Sequence, residues 1–428
     1  MRVAEISLPA LRHNIETLRR HTGAKVIVVV KADAYGHGAA IVAPAVIAAG
    51  AAIVAAASIE EAVALRSEGF CAPILCWLHE DELDYAAAVR GDIQLGLSTV
   101  TQVRRLTAAA RSLGAVASAH LKLDTGLSRN GAAPASWQAF FAEAAAAEAA
   151  GHLRVVGVFS HLANAGDAAD RAQAARFDAG TRLLRTSRTS RTSRTAHTDP
   201  AGRIPSAPLG SAPLGSAPTA PAQPMRHLAA SAAALTSPHL SYDAVRIGAA
   251  AYGLSPAQDD GAARLGLRPV MTFATEIVSL RRATAGQGET STSTNTSASA
   301  PANARTALLA QLPVGFADGM PRALGGTGLS VAVGGERAPL VGEIAMDECL
   351  IDVTHLAGRV AVGDRVVLFG DPARGEPAVE EWAERLGTIN YEVVARIGRR
   401  VQRRAVGRGY PPRETPTHLS PSVAEGEF

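Results

Sequence analysis

The chain has 428 residues, 47% hydrophobic and 19% charged, with 42 Lys+Arg against 39 Asp+Glu for a net charge of +3. That is apolar material for two or three domains and a sizeable core, and too even a balance for the concentrated basic face that nucleic acid requires. Three cysteines (Cys71, Cys76, Cys349) without a CxxC pair form neither a disulfide framework nor a zinc site, so a reduced compartment and no metal are expected.

Along the chain, the N-terminus lacks the apolar run of a signal peptide, which predicts a cytoplasmic protein. Residues 1–8 read as a strand joining a later β-domain. Short β-branched runs then alternate with alanine-rich helical stretches. The predicted strands are Val26–Lys31, Ile53–Ala57, Pro73–Cys76, Ile93–Leu97, Ser118–Asp124, Val155–Ser160, His227–Ala230 and Ala244–Ile247. Eight strands with crossover helices suggest a parallel (β/α)8, TIM-like barrel over 9–265, although an open α/β sheet shares the count. The uncharged stretch Ala39–Ala57 has the length of a membrane span. It is mostly alanine and carries Pro44 and Gly50, so a helix ending near Gly50 and a short strand are expected instead. No membrane partner is expected.

The segment 186–224 repeats Thr-Ser-Arg and then SAPLG, and reads as a disordered insertion in a barrel loop. From 266 to 408 the pattern becomes strand-like: Met271–Leu280, Ala307–Pro313, Leu329–Val333, Glu343–Asp352 and Arg365–Phe369, then a helix, Val379–Leu386. This predicts a C-terminal mainly-β domain, interrupted by a Ser/Thr/Ala-rich run at 290–303. Residues 409–428 read as a disordered tail. The fold class is α/β plus β.

The basic residues are uneven. Only Lys25, Lys31 and Lys122 are lysine, and the other thirty-nine are arginine. A lysine amine can become neutral and form a Schiff base or a carbamate, which a guanidinium cannot. Lys31 ends the apolar run VIVVV and precedes the Gly-rich turn ADAYGHG. A dry strand end disfavours the ammonium form and would let this lysine condense with an aldehyde cofactor.

With its surroundings, VIVVVKADAYGHG resembles the alanine racemases, pyridoxal 5'-phosphate enzymes of fold type III. LKLDTGLSRNG, GVFSHLANAGD, RHLAASAAAL, YDAVRIGAAAYGL, GEIAMDE and TINYEVV follow in family order. The resemblance implies interconversion of L- and D-alanine, supplying peptidoglycan, by a homodimer with active sites shared between subunits. It implies Lys31 as the lysine that carries the cofactor and acts as a base. Arg129 would serve the cofactor phenolic oxygen and the substrate carboxylate, with Lys122 bracing it, as a carbamate or otherwise as a plain pair with Asp124. His161 would lie beside the ring and Arg246 at the pyridine nitrogen. Tyr35, Ser231, Gly248, Ala249 and Tyr391 would hold the phosphate. Met346 and Asp347 would approach the other subunit's site.

Three departures accompany the resemblance. Ala230 stands where the family usually has Asn, and Phe316 replaces a common tyrosine. The Ser-Tyr-Gly motif that supplies the family's second base has no counterpart: no tyrosine lies between Leu254 and Asn390. Losing a general acid–base typically costs about 10²–10⁴ in rate. Two alternatives therefore stand beside racemisation, a catalytically impaired pyridoxal-phosphate-binding homologue and a one-sided fold-type-III reaction on another amino acid. Tyr410 of the tail is an unplaced tyrosine.

Overall fold

The computed structural model describes residues 1–77, 83–195, 223–256, 261–283 and 307–407. β1 (Val3–Ser7) feeds a helix, Leu8–Thr22, whose ends are written in its sequence. Ser7 Oγ accepts from Ala10 N–H, Pro9 sits in the first turn, and Gly23 closes the end at φ +63°, as helix capping requires. Leu11, Ile15 and Leu18 repeat at helical spacing and are fully buried.

Eight parallel strands then close a barrel in the order of the chain. They are β2 (Lys25–Val29), β3 (Ile53–Ala56), β4 (Ile74–Cys76), β5 (Ile93–Leu97), β6 (Ala117–Lys122), β7 (Leu153–Phe159), β8 (Met225–Ala230) and β9 (Ala244–Ile247). β9 returns to β2 with Lys25 opposite Ala244 and Val28 opposite Ile247. Closure rules out the open sheet. β3 and β4 are buried on both faces, which is why they read as continuous apolar runs, while the equally buried β6 and β9 place His120, Lys122 and Arg246 inside. The stretch Ala39–Ala57 splits into a helix, Ala39–Ala48, and β3. Among the described residues no helix is long and apolar enough to cross a membrane.

A second sheet of nine strands contains β1 with β10 (Met271–Glu276), β11 (Ser279–Ala283), β12 (Ala307–Leu312), β13 (Ser330–Val333), β14 (Glu336–Val341), β15 (Cys349–Asp352), β16 (Arg365–Phe369) and β17 (Gln402–Val406). β1 lies between β10 and β17, so the N-terminal residues do join this domain. Phe273, Phe369 and Trp382 form its aromatic centre, with Phe369 and Trp382 at 5.3 Å. Glu5 in β1 receives both Arg365 nitrogens at 2.7 and 2.8 Å and also Arg404. Arg365 first, then Arg404, holds its carboxyl down to about 2.

Several expected boundaries are corrected. The run Met271–Leu280 is two strands, β10 and β11. Of Glu343–Asp352 only Cys349–Asp352 is extended, and β14 precedes it unannounced. The helix entering the insertion runs from Asp167 through Thr195. The first ten residues assigned to the insertion are thus helical backbone, because Thr-Ser-Arg triplets hold no Gly or Pro to stop a helix. The Pro/Gly-rich remainder, the 290–303 run and the tail lie outside the described residues.

Candidate active site

Lys31 follows β2 at the C-terminal mouth of the barrel, where such barrels place reactive groups. The run that feeds it stops being a strand at Val29, and the chain turns in an unusual way. Ala32, Asp33, Ala34 and Tyr35 all have left-handed backbone, φ +52° to +55°. For L-residues this costs about 1–2 kcal/mol each, so neighbouring groups must hold the turn. Asp33 Oδ1 accepts from Ala39 N–H at 2.7 Å. Arg403 of β17 donates to Gly36 O at 3.0 Å, and His37 Nδ1 lies 3.0 and 2.9 Å from the oxygens of Ala34 and Tyr35. Glu61 accepts from Ala32 N–H at 2.7 Å. Lys31 is exposed rather than dry as expected, because the strand ends at Val29 and the turn carries it to the mouth. Partial desolvation of its amine, and then Arg129, still lowers it below the usual lysine range, while Glu61 opposes them.

Inside the barrel, Arg246 of β9 is buried, and both of its terminal nitrogens are engaged by acceptors. Its nitrogens donate to the oxygens of Ser160 (2.6 Å), His227 (2.9 Å) and Leu228 (3.0 Å), and reach His161 Nδ1 at 3.2 Å and His227 Nδ1 at 3.1 Å. Burial lowers it to about 9, so it remains a cation at neutral pH. His227 Nε2 meets His120 Nδ1 at 2.8 Å, and His120 Nε2 meets Gln94 Oε1 at 2.8 Å. Arg only donates, which sets every proton in this chain. His227 accepts at Nδ1 and donates from Nε2 to His120, which donates from Nε2 to Gln94. Glycines make the room: a Cβ on Gly157 would stand 2.0 Å from His120 Nδ1.

Phe159, at the end of β7, stacks on His227 with ring centres 4.9 Å apart. The Lys122 amine lies 5.4 Å and the Arg246 guanidinium 5.3 Å from its ring. Lys122 is buried at the end of β6. Burial, then Arg246 and Arg129, brings its amine down to about 7. The expected alternative of a Lys122–Asp124 surface pair is not formed. Asp124 Oδ1 instead accepts from Gly126 and Ser128 N–H at 2.9 and 3.0 Å, shaping the loop that ends in exposed Arg129. Burial and the surrounding cations, Arg246 first, push the His161 imidazole to about 3.

On the neighbouring strand ends, Ser231 Oγ accepts from Gly248 N–H at 3.0 Å. A Cβ at Gly248 would meet the Tyr35 hydroxyl at 2.3 Å, so Tyr35 and the Gly248–Ala249 backbone converge only because glycine is there. Tyr391, on the helix Asn390–Ala395, brings its ring centre to 6.3 Å from that of Tyr35. Hydroxyls and backbone N–H groups gather here without a carboxylate from these residues, a donor set suited to a phosphate dianion. Met346 is on the β-domain surface between β14 and β15. It is 55% exposed beside Phe316 at 43%, and Arg400 bonds Asp347 at 2.7 Å.

Residues 6–199 match the alanine racemase N-terminal domain and residues 270–405 the alanine racemase C-terminal domain. The chain belongs to the alanine racemase family. Its relatives include the alanine racemase of Frankia casuarinae, 40% identical over 94% of this chain and 96% of the relative. That of Mycolicibacterium smegmatis is 38% identical over 93% of each. Among solved structures, the alanine racemase of Streptomyces coelicolor A3(2) superposes with a TM-score of 0.77 at 36% identity, covering 95% of this chain and 98% of that one. The enzyme from D-cycloserine-producing Streptomyces lavendulae gives 0.76 at 36%, covering 95% and 97%.

Sequence reasoning singled out the family motifs but missed Gln94, His120, His227, Phe159 and Glu61. A signal for His120 was available: it lies two residues before Lys122 in one strand, hence on the same inward face.

Proposed function

We propose that this chain is an alanine racemase that interconverts L- and D-alanine using pyridoxal 5'-phosphate. The observation that carries the reading is the convergence at one barrel mouth of a lysine of lowered basicity, a donor-only arginine and a carboxylate-free cradle. Tyr35, Ser231, Gly248, Ala249 and Tyr391 would hold the phosphate, Lys31 would carry the aldehyde carbon, and Arg246 would face the ring nitrogen. Pyridoxal phosphate, when bound, supplies a sink for the electrons left when an α-proton departs, and a donor-only partner at its ring nitrogen keeps that sink shallow, favouring proton return over transamination.

This chain's own groups do the rest. Lys31, made less basic by partial desolvation and Arg129, takes and returns the α-proton on one face. Exposed Arg129 offers its guanidinium to the substrate carboxylate. His161, held neutral at physiological pH, fills the space beside the ring without adding charge. Arg246 keeps its direction because five acceptors fix it.

Lys122 acts as an anion. With its amine brought down to about 7, a neutral form is available near physiological pH, and addition to CO2 with loss of a proton gives a carbamate near Arg246 and Arg129, replacing cation repulsion by attraction. The exposed pair Phe316 and Met346 supports a homodimer in which Met346 and Asp347 reach the partner's site. Native mass spectrometry reads both points. The expected species is a dimer carrying one CO2 per chain, and an unmodified monomer at working concentration overturns them.

Racemisation needs a second group on the opposite face, and the stretch from Leu254 to Asn390 contains no tyrosine. This favours a second reading in which only the Lys31 face exchanges. Incubation with each alanine enantiomer in D2O separates the two. Deuterated D-alanine from L-alanine is the expected result. Exchange into D-alanine without inversion means that only the lysine face works, and no exchange with cofactor bound sinks the racemase reading.

A further inference from the structure

The ladder between β2 and β3 ends just before the site. Val29 pairs with Ala55, and Val30 N–H reaches Ala55 O at 2.8 Å. Beyond that point β2 turns left-handed and β3 gives way to the helix Ile59–Ser67, so the strands can no longer satisfy each other's N–H groups. One carboxylate spans the gap: Glu61 Oε1 accepts from Ala32 N–H at 2.7 Å and Oε2 from Ala57 N–H at 2.9 Å.

This is not the role its local sequence advertises. Ser58-Ile-Glu-Glu61 is a capping-box pattern, in which the glutamate turns back to the N-cap N–H. Ser58 Oγ does accept from Glu61 N–H at 3.3 Å. The glutamate side chain, however, reaches one residue before the cap and across to the neighbouring strand end. Both of its bonds are charge-assisted, the stronger kind. The residue it grips on the far side, Ala32, directly follows Lys31 and opens the left-handed turn.

We propose that Glu61 is a positioning residue for Lys31: it continues the β2–β3 ladder past its last rung, pins Ala32 in left-handed backbone and so aims the lysine amine at the aldehyde carbon. The inference rests on the reading of Lys31 as the cofactor lysine. Condensation there joins amine nitrogen to aldehyde carbon and releases water, so a misaimed amine weakens capture of the aldehyde while leaving the phosphate cradle alone.

The test uses the full chain stripped of cofactor, with Glu61→Gln. The amide can accept at one oxygen but presents N–H to the other N–H. Pyridoxal phosphate and 4'-deoxypyridoxine 5'-phosphate, which has no aldehyde, are titrated in parallel. The expected result is a loss of about tenfold or more in affinity for the aldehyde, the worth of one charged hydrogen bond, with the deoxy analogue unchanged. Equal weakening of both means that Glu61 supports the whole mouth and overturns the proposal, as does no change in either. Glu61→Asp keeps the charge but is too short to reach both N–H groups; it carries the same expectation if the amide variant does not fold. Borohydride trapping on the unaltered chain tests the underlying reading separately. A pyridoxyl group mapped to Lys25 or Lys122 removes Lys31 from the site whatever the Glu61 variants do.

Discussion

Lys31→Ala is expected to lower racemase turnover by at least roughly 10³-fold, within the 10²–10⁴ that one general acid–base contributes, with loss of covalent cofactor attachment adding to it. The comparison is unusually clean because the chain has only three lysines. Lys25 is exposed at the start of β2, at the opposite end of the strand from the mouth, so Lys25→Ala should leave turnover unchanged. Lys31→Arg should be as inactive as Lys31→Ala, since a guanidinium keeps its proton and cannot condense. Initial rates in both directions, with cofactor saturating, check this. An active Lys31→Arg enzyme would refute the assignment, whereas a partly active Lys31→Ala enzyme would show that attachment matters more than proton transfer.

The same position shows what the sequence could and could not convey. The barrel strands were legible because burial on both faces leaves continuous apolar runs. Lys31 was legible as the rare lysine closing one of them. The left-handed turn behind it was not, because Ala32, Asp33, Ala34 and Tyr35 have no local preference for positive φ beyond that of Asp. Groups far along the chain impose that conformation: Glu61, Arg403 and Val394, whose carbonyl oxygen would stand 2.1 Å from a Cβ at position 36. Likewise β14 escaped notice because its sequence, ERAPLV, alternates too weakly and contains a proline. Tyr391 was found by its motif, but the helix that aims it at Tyr35 was not. The interior chain of Gln94, His120, His227 and Arg246 comes from four separate strands. Only closure of the barrel brings them into line, so no short motif carries it.

That interior chain, together with the buried His37 beside the left-handed turn, should make folding stability fall steeply on the acid side of neutrality. His120 is pushed down to about 3 and His37 to about 4, in each case chiefly by burial, and His227 also lies well below its ordinary value. Geometry gives the same answer independently. The Nδ1 lone pair of His227 is taken by Arg246 and that of His120 by His227, so a further proton would set donor against donor. His37 Nδ1 is committed to two backbone oxygens, and its buried Nε2 finds no acceptor among the described residues. In the unfolded chain all three titrate near 6.5. Below that pH the unfolded state binds protons that the folded state refuses, so the stability these imidazoles contribute is full above about 6.5 and is lost as pH falls towards the folded values. With His161, also pushed down to about 3, four such groups give a slope of about 5 kcal/mol per pH unit, at about 1.36 kcal/mol for each proton. A typical stability of about 5–15 kcal/mol would then be largely consumed within two to three pH units. Glu5 adds its own loss only lower, as pH falls from about 4.5 towards about 2. Calorimetry between pH 8 and 5 should show the melting temperature dropping from about pH 6.5, with unfolding at pH 5.5 taking up roughly three to four protons. A flat melting temperature across that range, or unfolding without proton uptake, would mean that these imidazoles are already charged in the folded barrel and that Arg246 does not set their tautomers.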